Sequence, residues 1–500
     1  MYHPRKEEFL RQAERGGLIP IYKEILSDTY TPLSVYKRLE GREKFSFLLE
    51  SVEKGERWGR YSFLGTNPEI IFKSKGTNIE IIRDKEIQRL RSEEPLSELK
   101  RILDRYSPDR REDLPCFFGG WVGYIGYDTI RLFEPVIEER KENIDDLSLP
   151  DIFLLLAKEL LLFDHLKQSL KVVVNVQIEG DSERVYEQAI GRIEEIIKQI
   201  REPVKKERTF PYSFTCLEEK NWQTNITREE FERGVEKAKE YIREGEIIQV
   251  VLSQRWETEL DCSPLDIYRA LRCANPSPYM FFLDFGEVKL IGSSPEILVR
   301  AQEGRAETRP IAGTRRRGES EEEDRRLEKE LVEDPKERAE HIMLVDLGRN
   351  DLSKVCEYGS VSVSELMRVE KYSYVMHIVS HCEGRLRKDR SIFDLFQACF
   401  PAGTVTGAPK IRAMQIIEEL EKNKRSVYAG AVGYFAFSGN MDSCITIRTI
   451  LIKGDRVYVQ AGAGIVADSD PKKEYEETVN KAKAMKQAVE IARAWDAVSD

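Results

Sequence analysis

Apolar positions recur along the chain at two spacings, and each spacing predicts a different kind of element. Short runs rich in β-branched and aromatic residues, bounded by polar turns, predict strands at 79–82, 153–156 and 172–178. The same pattern returns at 247–258, 279–284, 288–291, 430–437, 443–452 and 456–460. Apolar residues three and four apart predict helices over 183–200 and 411–420. Start signals mark three more. Thr227-Arg228-Glu229-Glu230 is a capping box that opens a helix to about 244. Asp334 before Pro335, and Asp470 before Pro471, set a capping carboxylate ahead of a proline suited to the first turn. The helix after Asp334, with Glu337 placed for a capping box, is expected to stop at Gly348. Strands come in runs joined by short turns, not in strict alternation with helices. The expected fold class is therefore α+β, with large, mostly antiparallel sheets packed with helices. A Rossmann fold or a TIM barrel is disfavoured.

A polar, proline-flanked stretch from Arg201 to Pro211 interrupts the pattern and reads as a linker. It divides the chain into an N-terminal domain at 1–205, a linker at 206–224 and a C-terminal domain at 225–500. Gly119-Gly120-Trp121-Val122-Gly123-Tyr124 marks a strand that a neighbouring backbone approaches closely.

Composition removes whole classes of function. The chain has 500 residues, 41% of them apolar, enough for a sizeable core. A formal net charge of −10, with no basic run interleaved with aromatics, argues against a nucleic-acid binder. No apolar stretch approaches membrane-spanning length, and the first residues lack the apolar core of a signal peptide, so a cytoplasmic location is expected. Eight cysteines, none in a Cys-x-x-Cys pair, fit reduced thiols better than zinc ligands or disulfides. Charged residues at 34% point to ion-pair networks.

The candidate chemistry lies mostly in the C-terminal half. After Asp470, Glu474, Glu477 and Lys481 fall at i, i+3 and i+7 and share one helix face. Two carboxylates one turn apart repel, and oxygen ligands of this kind favour Mg²⁺ over zinc or copper. A solvated charged face is the plainer alternative. Glu340 lies on the stripe of Leu344 and Leu347, so its carboxylate is expected to turn inward, where it needs an arginine or a shared Mg²⁺. Pro401 to Lys410 is a glycine-rich turn whose free N–H groups suit a carboxylate, and it does not match a phosphate-binding loop. Ala461-Gly462-Ala463-Gly464-Ile465 ends a strand with two glycines that let a ligand approach the backbone, and for both segments a purely structural role is the plainer alternative. Arg448 suits either a forked grip on a carboxylate or a plain ion pair. His377, within an apolar run, is either a satisfied core histidine or a general acid or base.

These segments occur together in a known family. Ile311-Ala312-Gly313-Thr314-Arg315, Glu340 to Asp351, Tyr372 to His377, Gly403 to Lys410 and Ala461 to Lys481 stand in the order seen in the chorismate-utilising enzymes. The chain resembles that family over 225–495, most closely its anthranilate synthase large subunits, and more loosely before the linker. The resemblance implies the family's fold and a carbon–oxygen lyase acting on chorismate. It implies Glu340, Glu474 and Glu477 as ligands of a Mg²⁺ that faces the ring carboxylate of chorismate. Tyr428, Arg448, Gly462, Gly464 and Lys481 are implied as a clamp on the substrate carboxylates, and Gly313, Thr314 and Thr404 as the rest of the pocket. Glu296 is implied as the acid near the departing C4 hydroxyl, and His377 as a helper in the later elimination.

Two uncharged residues choose among the relatives. Isochorismate and salicylate synthases have a water-activating lysine where this chain has Gln249, and many aminodeoxychorismate synthases have a nucleophilic lysine where it has Ala312. Both absences favour direct amination to anthranilate. An aminodeoxychorismate synthase is the alternative, and a non-catalytic tryptophan-sensing scaffold is less favoured. No cysteine elbow of a glutamine amidotransferase is recognised, which implies a separate amidotransferase subunit as ammonia source and a hetero-oligomer. Leu49, Glu50, Ser51, Pro278, Tyr279, Met280 and Phe281 match the family's tryptophan feedback pocket, with Val432, Tyr434 and Cys444 adjacent. There Glu50 would meet the amino group, and Pro278, Met280 and Val432 the indole. Strand ends packing the two halves together are the alternative reading.

Overall fold

The computed structural model describes residues 1–51, 59–106, 108, 112–137, 143–203, 219–371 and 375–497. Strand pairing within them builds two antiparallel sheets, one of 13 strands and one of 12. In the first, Ser46–Glu50 pairs with Tyr279–Asp284. In the second, Gly120–Ile125 pairs with Ala431–Ala436. Each sheet thus holds strands from before and after the linker of the sequence, side by side. The linker itself falls outside the described residues up to 218, and beyond that Gln223–Thr224 is an edge strand paired with Trp256 and Glu257.

The inner faces of the sheets meet in one apolar core. Phe281, Leu283 and Leu290 of the first sheet share it with Trp121, Leu154 and Phe435 of the second, none more than 2% exposed. Burying each such side chain contributes about 1.5–3 kcal/mol. Helices Ser182–Arg201, Pro264–Ala274 and Pro471–Ala497 cover the outer face of the first sheet through Ile193, Leu271, Met485 and Val489. The expected capping box opens the helix Arg228–Arg243, with Thr227 Oγ1 accepting from Glu230 N–H at 3.2 Å and Glu230 Oε2 from Thr227 N–H at 3.0 Å.

Three expectations fail for reasons that bear on the site. The predicted strand 443–452 is two strands, Met441–Ile445 in the second sheet and Thr449–Lys453 in the first. The chain crosses between sheets in the intervening residues, where Arg448 takes φ of 50°, a left-handed conformation disfavoured for a residue with a Cβ. Unbroken β-branched spacing conceals such a crossing. The helix expected to stop at Gly348 spans Pro335–Ser353. Gly348 serves close approach instead: a Cβ there would lie 3.0 Å from Thr308 Oγ1 and 3.5 Å from Pro310 Cγ. Nor does Glu337 close a capping box. Asp334 alone accepts from the N–H groups of Lys336 and Glu337, at 2.9 and 3.3 Å, while the Glu337 carboxylate accepts from Arg315 at 2.8 Å.

Candidate active site

The crossing carries Arg448 to the wall of a cavity of about 490 Å³, shared with Lys472, Lys473, Glu476, Glu477, Asn480 and Lys481 of the C-terminal helix. That helix starts as its sequence predicts, with Asp470 Oδ1 accepting from the N–H groups of Lys472 and Lys473 at 3.0 and 3.1 Å. Lys481 pairs with Glu477 at 2.7 Å and donates to the Gly462 carbonyl at 3.1 Å. Burial pushes the Arg448 guanidinium down in pKa, while Tyr428 and Glu477 favour its charge. Among the described residues no hydrogen bond or ion pair satisfies that guanidinium. A half-buried cation left unmatched in this way is suited to meet an anion.

Glu340 comes to the same region from the helix Pro335–Ser353. Burial raises its pKa, the carboxylates of Glu337 and Glu477 raise it further, and Gln249 Nε2 offers only a long hydrogen bond at 3.4 Å. Glu474 is likewise raised by burial, with Ser469 opposing and Glu477 adding to the rise. The structure thus brings Glu340 and Glu474 within electrostatic reach of Glu477 from two helices. Among the described residues, no three His, Cys, Asp or Glu side chains are drawn together tightly enough to enclose an ion. Gly462 and Gly464 seat two of the neighbours. A Cβ on Gly462 would lie 2.7 Å from Tyr428 Oη, and one on Gly464 would lie 2.6 Å from Gln249 Nε2.

Glu296 lines a smaller cavity of about 50 Å³ with Thr404, Leu344, Leu347 and Gly403. Burial raises its pKa to about 8, against the pull of the Thr404 hydroxyl and of Lys481. Thr404 Oγ1 lies close enough to favour the carboxylate form, yet it is buried without a well-formed hydrogen bond. A pKa raised that far favours the protonated form of Glu296 at neutral pH. His377 is half-buried rather than locked in the core, and its Nδ1 lies 3.0 Å from the Gly313 carbonyl and 3.0 Å from Thr314 Oγ1. A carbonyl can only accept, so Nδ1 carries the hydrogen and Nε2 is the basic nitrogen. Burial lowers the pKa of the ring, and Arg448 adds to the lowering while the Gly313 contact opposes it. The adjoining residues 372–374 of the family motif lie outside the described residues.

Comparison with known proteins matches residues 33–487 to the chorismate binding enzymes. The chain belongs to this family. It is 50% identical over 493 residues to anthranilate synthase component 1 of Aquifex aeolicus, covering 97% of each chain. It is 48% identical to the protein of that name from Acetivibrio thermocellus, covering 98% of this chain and 99% of the other. Anthranilate synthase component I from Streptococcus pneumoniae, at 38% identity, aligns structurally with a TM-score of 0.76 over 92% of this chain and 99% of that one. The menaquinone-specific isochorismate synthase of Escherichia coli, 22% identical, shares the fold at a TM-score of 0.70 over 97% of this chain and 98% of its own. This chorismate binding enzyme has the α+β, antiparallel architecture expected from its sequence.

The second set of family residues gathers where the two sheets join. Glu50 is the ladder partner of Met280, and Leu49 of Phe281. Tyr279 Oη donates to Asp442 at 2.9 Å, reaching the second sheet, where Val432 pairs with Cys444 and Tyr434 with Asp442. Pro278 is half-buried beside them in sequence, and Ser51 Oγ is buried without a hydrogen-bond partner. Glu50 accepts from Tyr268 Oη at 2.6 Å and faces Arg272 at 3.4 Å.

Sequence reasoning missed several residues that shape these sites. Tyr268 and Arg272 sit four apart on the helix Pro264–Ala274, a spacing that places them on one face and was there to be read. Glu337 follows the same logic with Glu340. Arg425 left no such signal, since Lys424-Arg425 looks like a polar turn. It is 2% exposed and donates to the carbonyls of Val405 and Val251, each at 2.7 Å, and to Glu421 at 2.6 Å. Its guanidinium also lies 5.6 Å from the Tyr428 ring centroid. One buried cation thus ties together the turn of Thr404, the strand of Gln249 and the ring of Tyr428.

Proposed function

We propose that this enzyme converts chorismate and ammonia into anthranilate and pyruvate. The observation that carries the reading is the unmatched Arg448 guanidinium beside Lys481, facing a cavity bordered by acidic side chains, with a protonated Glu296 nearby. Arg448 and Lys481 bind the carboxylates of the dianionic substrate. Glu296 gives its proton to the C4 hydroxyl, which leaves as water while the ammonia nitrogen bonds to C2. His377 Nε2 then takes the C2 proton, the C3–oxygen bond breaks, and enolpyruvate leaves, gaining a proton to become pyruvate as the ring turns aromatic. Gln249 and Ala312 offer no basic or nucleophilic amine for hydration or for a covalent route.

Mg²⁺ fits the donor set by chemistry. The ligands are all carboxylate oxygens, and their mutual repulsion is what a hard cation offsets. Glu340, Glu474 and Glu477 would hold it, and when bound it supplies positive charge for the ring carboxylate. We assign the ammonia to a glutamine amidotransferase subunit forming a hetero-oligomer with this chain, in the cytoplasm. Support comes from the end-to-end match to proteins named as a numbered component. No described helix is long and apolar enough to cross a membrane. We assign tryptophan feedback inhibition to the junction at Glu50, where the Arg272 contacts of 3.4 and 3.5 Å are long enough for a primary ammonium to compete with them. Purified chain incubated with chorismate, Mg²⁺ and ammonium salt should yield fluorescent anthranilate. Isochorismate or 4-amino-4-deoxychorismate as the main product would overturn the assignment.

A further inference from the structure

The 490 Å³ cavity carries two cations that the substrate clamp does not include. Lys472 and Lys473 are exposed on its wall in the first turn of the C-terminal helix, where the helix dipole disfavours positive charge. Neither forms an ion pair among the described residues. Apart from Glu474, which is half-buried, the acidic groups around them are already engaged. Glu476 is paired with Arg228 at 2.9 Å, Glu477 with Lys481 at 2.7 Å, and Asp468 with Lys336 at 3.2 Å, while Asp470 caps the helix through the N–H groups of both lysines. Of the charged residues that line the cavity, those without an ion pair among the described residues are all positive, namely Lys472, Lys473 and Arg448.

The chain as a whole bears −10, so at a distance it repels an anion. The cavity wall is where that sign reverses. We propose that Lys472 and Lys473 form an electrostatic collar that draws a small dicarboxylate toward Arg448 and takes no part in the chemistry. The proposal rests on the chorismate reading above. It assigns the two lysines a role in affinity and specificity for dianions, distinct from the clamp formed by Arg448 and Lys481.

Calorimetry of chorismate binding without ammonium, at about 20 mM and about 500 mM salt, tests it, because Coulombic attraction between exposed charges is screened at the higher value. K472Q/K473Q should bind about five- to tenfold more weakly than wild type at low salt and match it at high salt. In turnover the same variant should raise KM and leave kcat unchanged. K85Q/K167Q, which removes two exposed lysines from hairpin turns of N-terminal strands, should bind as wild type does. Equal affinity of K472Q/K473Q and wild type at low salt would overturn the collar, as would an equal loss in K85Q/K167Q or a loss that persists at high salt. Wild type that binds chorismate but makes no anthranilate would overturn the reaction and leave the collar standing.

Discussion

At the junction around Glu50, the charges of the described residues each face a group of opposite sign. Tyr268 donates to Glu50, Arg272 stands opposite it, and Arg300 bridges Asp442 at 2.7 Å and Glu307 at 3.1 Å. Around Arg448 the groups are of the same kinds and the arrangement is the reverse. Among the described residues the guanidinium has no hydrogen-bond acceptor, Glu340 has one long contact, and the Glu477 carboxylate adds to the raised pKa of Glu340 and of Glu474. Leaving charges unresolved destabilises a fold, so a chain that answers them in one place and not in another marks the second as the place that waits for a ligand. The first region can hold its shape without help.

The contrast can be broken most directly at Glu340. Glu340→Gln should lower turnover by about 10²–10³-fold, as removal of a preorganised charged group typically does, with Tm unchanged or raised because a repelled, part-buried carboxylate is gone. A fall in Tm would mean that Glu340 is a structural charge like those around Arg300. Glu296 comes next. Its pKa rises from an ordinary 4.5 to about 8 in the folded chain, so between those values the folded state holds a proton that the unfolded state has lost. Its contribution therefore becomes steadily more destabilising from pH 4.5 to about 8 and is constant above. Activity should fall along a one-proton limb near pH 8, and Glu296→Gln should remove both the limb and about 10²–10⁴-fold of the rate. An unchanged limb in that variant excludes Glu296 as the acid.

Arg425 tests the answered kind of charge. Arg425→Met strands Glu421 and should destabilise the chain by about 3–5 kcal/mol in thermal or denaturant unfolding, whereas the double variant with Glu421→Met should recover part of the loss. Failure to recover would show that Arg425 acts through its carbonyl contacts more than through the ion pair. The smallest effect is expected at the sheet junction. Glu50→Gln keeps an acceptor for Tyr268 and should weaken tryptophan inhibition by about 10- to 100-fold with kcat unchanged. Inhibition that survives intact places the effector elsewhere.

Much of this was legible from the chain alone. Strand spacing predicted Tyr279–Asp284 to the residue, and cap residues predicted where the helices bearing Glu340 and Glu474 begin. Local signals of that kind survive folding because they depend on a residue's own neighbours. The crossing at Arg448 was not legible, since Ile445 and Thr446 carry the same β-branched pattern whether a strand continues or changes sheets. Gly348 misled because its glycine answers Thr308 across a gap, not its own helix. Arg425 was invisible because its burial is decided by Val405, Val251 and Tyr428, which lie far from it or have no charge to advertise.

The crossing also has a mechanical consequence. Cys444 belongs to the junction with Glu50 and Arg448 to the wall of the larger cavity, with only Ile445, Thr446 and Ile447 between them. The segment is anchored at both ends, in the second sheet by the ladder of Cys444 with Val432 and in the first by that of Thr449 with Gly292. A tether this short would act as a crank: any sliding of one sheet on the other would turn the Arg448 guanidinium.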